Sequence, residues 1–203
     1  PKYYNQIVDN VLLPNRFSSP HFEWMAEEAM FIAGRPKASL QRMKEMYQSQ
    51  VDKKSITTLY EKFGNKGSYN HAWNGSNTVL SKYVAGVKPT AVAWSEFQVM
   101  PTLAHFTAIE KTIPTVKGAI SIKINKTKAR YQLNLESPKN TMAIIGVPKS
   151  DQQVAFVQLN GELIWKKGKQ KKKISGVTYI GEDDKYLKFK VSSGKWIINA
   201  GYK

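Results

Sequence analysis

The sequence has no cysteine, which excludes disulfides, a thiol nucleophile and thiolate metal sites but leaves the compartment open. Its three histidines, His21, His71 and His105, are too far apart to share a metal-ligand spacing, so no metal and no other cofactor is expected. No run of about 18 apolar residues occurs, so no segment is expected to cross a membrane as a helix. Acidic residues are few: 15 Asp and Glu stand against 31 Lys and Arg, giving a formal charge of +16. No internal repeat is visible. The opening residues, PKYYNQIVDN, show no Met, no apolar core of a signal peptide and no small-residue cleavage site, and read as the middle of something longer.

The charge excess points first to nucleic acid, because lysines that neutralise phosphates release counterions. Much of it, however, falls in one run, KKGKQKKK at residues 166–173, between the strand-like stretches VAFVQLNGELIW and ISGVTYIG. A single-strand binder would interleave arginine and exposed aromatics with its lysines, and arginine is scarce here and absent from the run. The run is expected to be a solvated loop at the end of a hairpin, with no nucleic-acid partner.

Two regimes of periodicity divide the chain. Ile7, Val8, Val11 and Leu12 share one helical face that Pro14 ends. Ser19-Pro20 reads as an N-cap with proline at the first helical position, and Phe22, Met25, Ala26, Ala29, Met30 and Ala33 form a broad apolar face up to Gly34. Pro36 opens another helix with Leu40, Met43, Tyr47 and Val51, and a further one runs over about 78–87. After Pro89 the period becomes two, with strand-like segments at 97–100, 119–124, 130–135, 143–147, 154–159, 186–191 and 195–200. The expected fold is α+β in two domains: helical hairpins over 1–92 and an antiparallel β-sandwich over 93–203. Of the tryptophans, Trp24, Trp94, Trp165 and Trp196 are expected in cores.

Between the helices, residues 57–73 read TTLYEKFGNKGSYNHAW. One carboxylate, Glu61, and one imidazole, His71, stand among Tyr60, Phe63, Tyr69 and Trp73, with Asn65 and Asn70 between. A sugar ring has C–H groups on its faces and hydroxyls on its rim; aromatic rings suit the faces, and Asn, His and carboxylate suit the rim. On composition alone, a sugar site and a loop whose aromatics belong to a core are equally open.

The segment TTLYEKFG followed by YNHAW resembles the late signature of the α-L-rhamnosidases of glycoside hydrolase family 78. Residues 19–47, SPHFEWMAEEAMFIAGRPKASLQRMKEMY, resemble the helical hairpin before that signature. LSKYVAGVKPT, FQVMP and IPTVKGAISIKI resemble the family's passage from its last barrel helix into a C-terminal β-sandwich. The resemblance implies the end of an (α/α)6 barrel followed by that sandwich, from a bacterial-type enzyme that hydrolyses terminal α-L-rhamnosyl linkages with inversion. It implies that Glu61 is the general base activating water, that His71 contacts the sugar, and that Trp73, Tyr60 and Asn70 complete the sugar site. Where the family usually has Trp before the glutamate this chain has Tyr60, a smaller platform with an added hydroxyl. Glu28 and Arg35 match residues that orient the hairpin.

On this reading the general acid lies upstream of residue 1, the partners are rhamnosyl glycosides and the upstream part of the same enzyme, and the isolated chain is expected to be inactive, its helical part either self-associating or staying mobile. Two other readings stay open. An α/α-barrel polysaccharide lyase would use Tyr69 or His71 to abstract a proton. A non-catalytic carbohydrate-binding module would show a row of exposed aromatics on one sheet face, and only scattered ones are visible in the strands.

Overall fold

Proline sets the helix starts in the first part of the chain. The computed structural model, which describes residues 2–55, 58–64, 75–149 and 153–203, divides into two compact units, Pro1–Leu80 and Ser81–Lys203. In the first unit, helix α1 (Tyr4–Ile7) runs on into a π-helical turn, Val8–Leu12. Helix α2 (Pro20–Ile32) and helix α3 (Pro36–Val51) each begin at a proline, whose missing N–H costs nothing in a first turn. Ser19 is the N-cap of α2 but makes no side-chain cap bond; Ser18 instead donates its hydroxyl to Glu23. Helix α4 (Gly75–Val79) continues as a π-helical turn, Leu80–Val84, and α2 packs against both α3 and α4.

The buried face of α2 differs from the expected apolar one. Glu23, Glu27, Met30 and Phe31 are buried, whereas Phe22, Met25 and Ile32 are 55%, 47% and 56% exposed. Hydrophobicity alone misplaces this face because its carboxylates find partners inside the unit. Arg42 of α3 donates to both Glu23 oxygens, at 2.9 Å to Oε2, and caps the carbonyls of Leu12 and Asn15. A buried charge pair held this way satisfies most of its hydrogen-bonding capacity, which makes burial tolerable.

The second unit is one ten-stranded sheet, and the chain is α+β as expected. Its strands are β1 (Val87–Pro89), β2 (Glu96–Val99), β3 (Ala108–Thr115), β4 (Gly118–Lys126), β5 (Arg130–Pro148), β6 (Val154–Leu159), β7 (Glu162–Lys166), β8 (Lys169–Gln170), β9 (Val177–Glu182) and β10 (Tyr186–Tyr202). The two long strands tie it together. Residues 130–137 of β5 pair with 194–201 of β10, flanked by β4 and β6; residues 142–148 pair with 186–192, flanked by β2 and β9. A bulge between Ser192 and Gly194 separates these halves. Each half buries one face: Ile122, Ile124, Leu133, Leu135 and Ile198 from one and Phe97, Val99, Ile145, Val147 and Phe189 from the other belong to a single core. Alternation along each strand sends its remaining side chains to the opposite face.

Two features depart from a purely antiparallel sandwich. Strand β2 runs parallel to β5, residues 96–99 beside 142–145. The 166–173 run is not wholly loop, since Lys169 and Gln170 form β8 against β7; its lysines are exposed and Lys172 pairs with Glu162 at 2.7 Å. Strand β3 contains Pro114, which an edge strand tolerates, and among the described residues β4 is its only sheet neighbour. Trp165 is buried and Trp94 and Trp196 pack against the core, as expected. No described helix is long and apolar enough to cross a membrane.

Candidate active site

The end of α3 fixes the residues on either side of Glu61. The side-chain oxygen of Gln50, itself buried, accepts the Tyr60 N–H at 2.8 Å. Lys53 Nζ donates to the Tyr60 hydroxyl at 3.0 Å and stands 5.3 Å from the centre of its ring. Tyr60 is thereby buried, and the hydroxyl that distinguishes it from tryptophan is the atom Lys53 holds. Two residues past Glu61, the Phe63 ring packs edge-on against Tyr47 of α3 with centroids 5.1 Å apart. Glu61 is half-buried between these two anchors. The other expected site residues, Asn70, His71 and Trp73, lie outside the described residues.

The helix that follows residues 65–74 is tied to α2. Ser76 Oγ, buried in α4, lies 2.9 Å from Glu27 Oε1, and Ser39 of α3 donates to the Glu27 backbone carbonyl at 2.9 Å. Burial pushes the Glu27 carboxyl up to about 7, the Ser76 bond opposing the shift; the charge of Glu23 adds to it and that of Arg42 opposes it. Tyr47, whose hydroxyl donates to the Pro20 carbonyl at 3.3 Å, is pushed up to about 12, chiefly by burial. Gly75 lets α4 approach: a Cβ there would stand 2.3 Å from Trp24 Cδ1, so the indole lies directly against the glycine backbone.

Around Tyr60, Glu61 and Phe63, which the sequence singles out, the structure adds Gln50 and Lys53 as contacts of Tyr60, and it ties α2 to α4 through Glu27 and Ser76, none of which the sequence pointed to. Glu23 and Glu27 at i and i+4 do share a helical face, and that spacing was the available signal. Arg35 pairs with Asp9 at 2.8 Å and with Asn5 at 3.3 Å, so it ties the hairpin to α1. Among the described residues no group of His, Asp and Glu could hold a metal ion.

Comparison with known proteins gives the same direction from independent grounds. Residues 86–162 match the family model described as the bacterial alpha-L-rhamnosidase C-terminal domain. The structure is similar to that of the alpha-L-rhamnosidase from Dictyoglumus thermophilum, with a TM-score of 0.77 at 15% identity, over 98% of this chain and 23% of that one. It is also similar to Streptomyces avermitilis alpha-L-rhamnosidase complexed with L-rhamnose, with a TM-score of 0.67 at 17% identity, over 87% of this chain and 17% of that one. A third likeness is to the Aspergillus terreus enzyme, with a TM-score of 0.55 at 19% identity, over 71% of this chain and 18% of that one. No curated protein matches the sequence. The chain therefore spans about a fifth of the length of the rhamnosidases it resembles. At these identities the likeness establishes fold, and the match of residues 86–162 to the bacterial alpha-L-rhamnosidase C-terminal domain model agrees with it.

Proposed function

We propose that this chain is the C-terminal part of an inverting α-L-rhamnosidase of glycoside hydrolase family 78, with the last helices of an (α/α)6 barrel preceding its β-rich domain. The observation that carries this reading is the position of Glu61. It lies half-buried between two aromatic residues anchored on α3, in a chain whose fold follows known rhamnosidases along its length.

Inversion needs two carboxyl groups roughly 6.5–9.5 Å apart, one protonating the leaving oxygen and one activating water on the opposite face of the ring. Glu61 is the second. The Gln50 bond to the Tyr60 amide and the Phe63 contact with Tyr47 hold the backbone on both sides of it, which keeps the carboxylate aimed without a rearrangement at each turnover. His71 and Asn70 supply rim contacts to the sugar hydroxyls and Trp73 an apolar wall for its methyl-bearing flank. The general acid comes from the part of the enzyme that precedes this chain. The exposed Phe22, Met25 and Ile32 on α2 suit a helix that packs against further barrel helices.

The test is Glu61→Gln in the protein that contains this chain. The amide keeps the shape but cannot take a proton from water, so turnover of an aryl α-L-rhamnoside should fall ~10²–10⁴-fold with rhamnose binding nearly intact. Unchanged turnover would sink the assignment.

A further inference from the structure

The outward face of the second unit carries a row of carboxamides that the site in the helical unit does not use. Asn125 on β4 is opposite Gln132 on β5, Gln132 opposite Asn199 on β10, and Asn199 opposite Gln158 on β6. Their sequence neighbours Ile124, Leu133, Ile198 and Leu159 are buried in the core, so the four amides lie side by side on the other face. The row crosses three interstrand spacings, about 14 Å. Gln132 Nε2 donates to Asn199 Oδ1 at 3.1 Å, which orients the central pair. Asn134, two residues along β5 on the same face, has a buried Oδ1 with no hydrogen-bond partner among the described residues.

This row lines a groove of about 490 Å³. One wall is Phe156, whose ring lies so closely over Gly201 that a Cβ there would stand 2.3 Å from it. Arg130 stands at the groove's margin. Ordinary solvated sheet faces look different, and the neighbouring rows supply the contrast: Lys123 pairs with Glu110 at 3.0 Å and Lys195 with Glu136 at 3.2 Å. Asn is disfavoured in strands, so strand propensity does not account for Asn125 and Asn199 in this row. Each carboxamide presents a donor and an acceptor on one planar fork, the pattern that a pair of sugar hydroxyls completes, and an aromatic wall suits the C–H face of the ring. The row itself holds no lysine or carboxylate, which favours an uncharged ligand over a phosphate.

We propose that this groove is a carbohydrate-binding site, separate from the site around Glu61, that holds a neutral oligosaccharide across β4, β5, β10 and β6. Its length suits a chain of sugars rather than one ring. Recognition runs through amide forks with one aromatic wall instead of the row of exposed aromatics expected of a binding module.

Native gel electrophoresis of the full chain tests this, in gels containing xyloglucan, galactomannan, arabinogalactan or, as a charged control, polygalacturonate. At least one neutral polymer should retard the chain. Phe156→Ala should weaken that retardation at least tenfold, and so should Asn199→Asp, which keeps the side-chain shape but removes a donor. Thermal melts of both variants should match the parent, and Glu61→Gln should be retarded normally, so that failure of the active-site reading leaves this one standing. Three results would overturn the proposal: no neutral polymer retards the chain, Asn199→Asp and Phe156→Ala are retarded as strongly as the parent, or only polygalacturonate acts and added salt abolishes its effect.

Discussion

Among the described carboxylates, Glu27 is the one that burial holds well above its reference range. Its carboxyl sits at about 7 rather than 4.5 because burial disfavours the charge. Between those values the folded chain keeps the proton that the unfolded chain releases. The stability this group contributes is therefore complete below about pH 4.5 and is lost as pH rises through about 7, by on the order of 3 kcal/mol. Helical-unit stability, followed by far-ultraviolet circular dichroism in urea, should accordingly fall between pH 5 and pH 8. Glu27→Gln, which stays neutral and keeps a partner for Ser76, should flatten that dependence. Equal pH slopes for the two proteins would show that Glu27 is not held neutral. In the neighbouring Glu23–Arg42 pair each charge satisfies the other, so removing one partner leaves an uncompensated buried ion.

At the scale of elements, the junction of α2 and α4 depends on one missing side chain. Gly75→Ala would push a methyl group to within 2.3–2.6 Å of Trp24 Cδ1, Cγ and Cβ, and the helices must separate or the indole must leave its rotamer. The expected cost is about 1–3 kcal/mol in helical-unit stability, read from the urea midpoint, and Trp24→Ala should relieve much of it when combined. A Gly75→Ala variant as stable as the parent would mean that α4 does not need this approach. Proline made the starts of α2 and α3 legible in the sequence, and period-two alternation made β2, β4 and β6 legible. Strands β5 and β10 each read as two because Ser137-Pro138 and Ser192–Gly194 look like turns; in the fold they sit inside continuous strands, at the change between the two halves. The buried face of α2 was not legible, since the partner that lets Glu23 go inside is Arg42, 19 residues away. Glu61 and Tyr60 could be picked out from their aromatic setting, whereas Gln50, Lys53 and Ser76 matter only through contacts that the tertiary fold creates.

For the whole molecule, the two units differ in how well each covers its own apolar surface. The second unit closes a single core around two long strands, and its buried residues come from every strand except β3, β8 and β9. The first unit leaves Phe17 92% exposed and Phe22, Met25 and Ile32 about half exposed, on and just before α2. Phe22, Met25 and Ile32 stand at helical spacing on one side of α2, and exposed apolar residues in that arrangement mark a contact face. With a chain that spans 23% of the first rhamnosidase it resembles, the proposed occupant is the rest of the barrel, which also brings the general acid. The 203-residue chain by itself is therefore expected to show no turnover of an aryl α-L-rhamnoside. It should also cover the α2 face by self-association, seen as a dimer in native mass spectrometry, or bind the dye ANS as a monomer. Changing Phe22 and Met25 to Ser should reduce either signature without altering the urea midpoint of the second unit, because neither residue belongs to its core. An active monomer that binds no ANS would mean that the chain needs no further helices and would remove the incomplete-barrel reading.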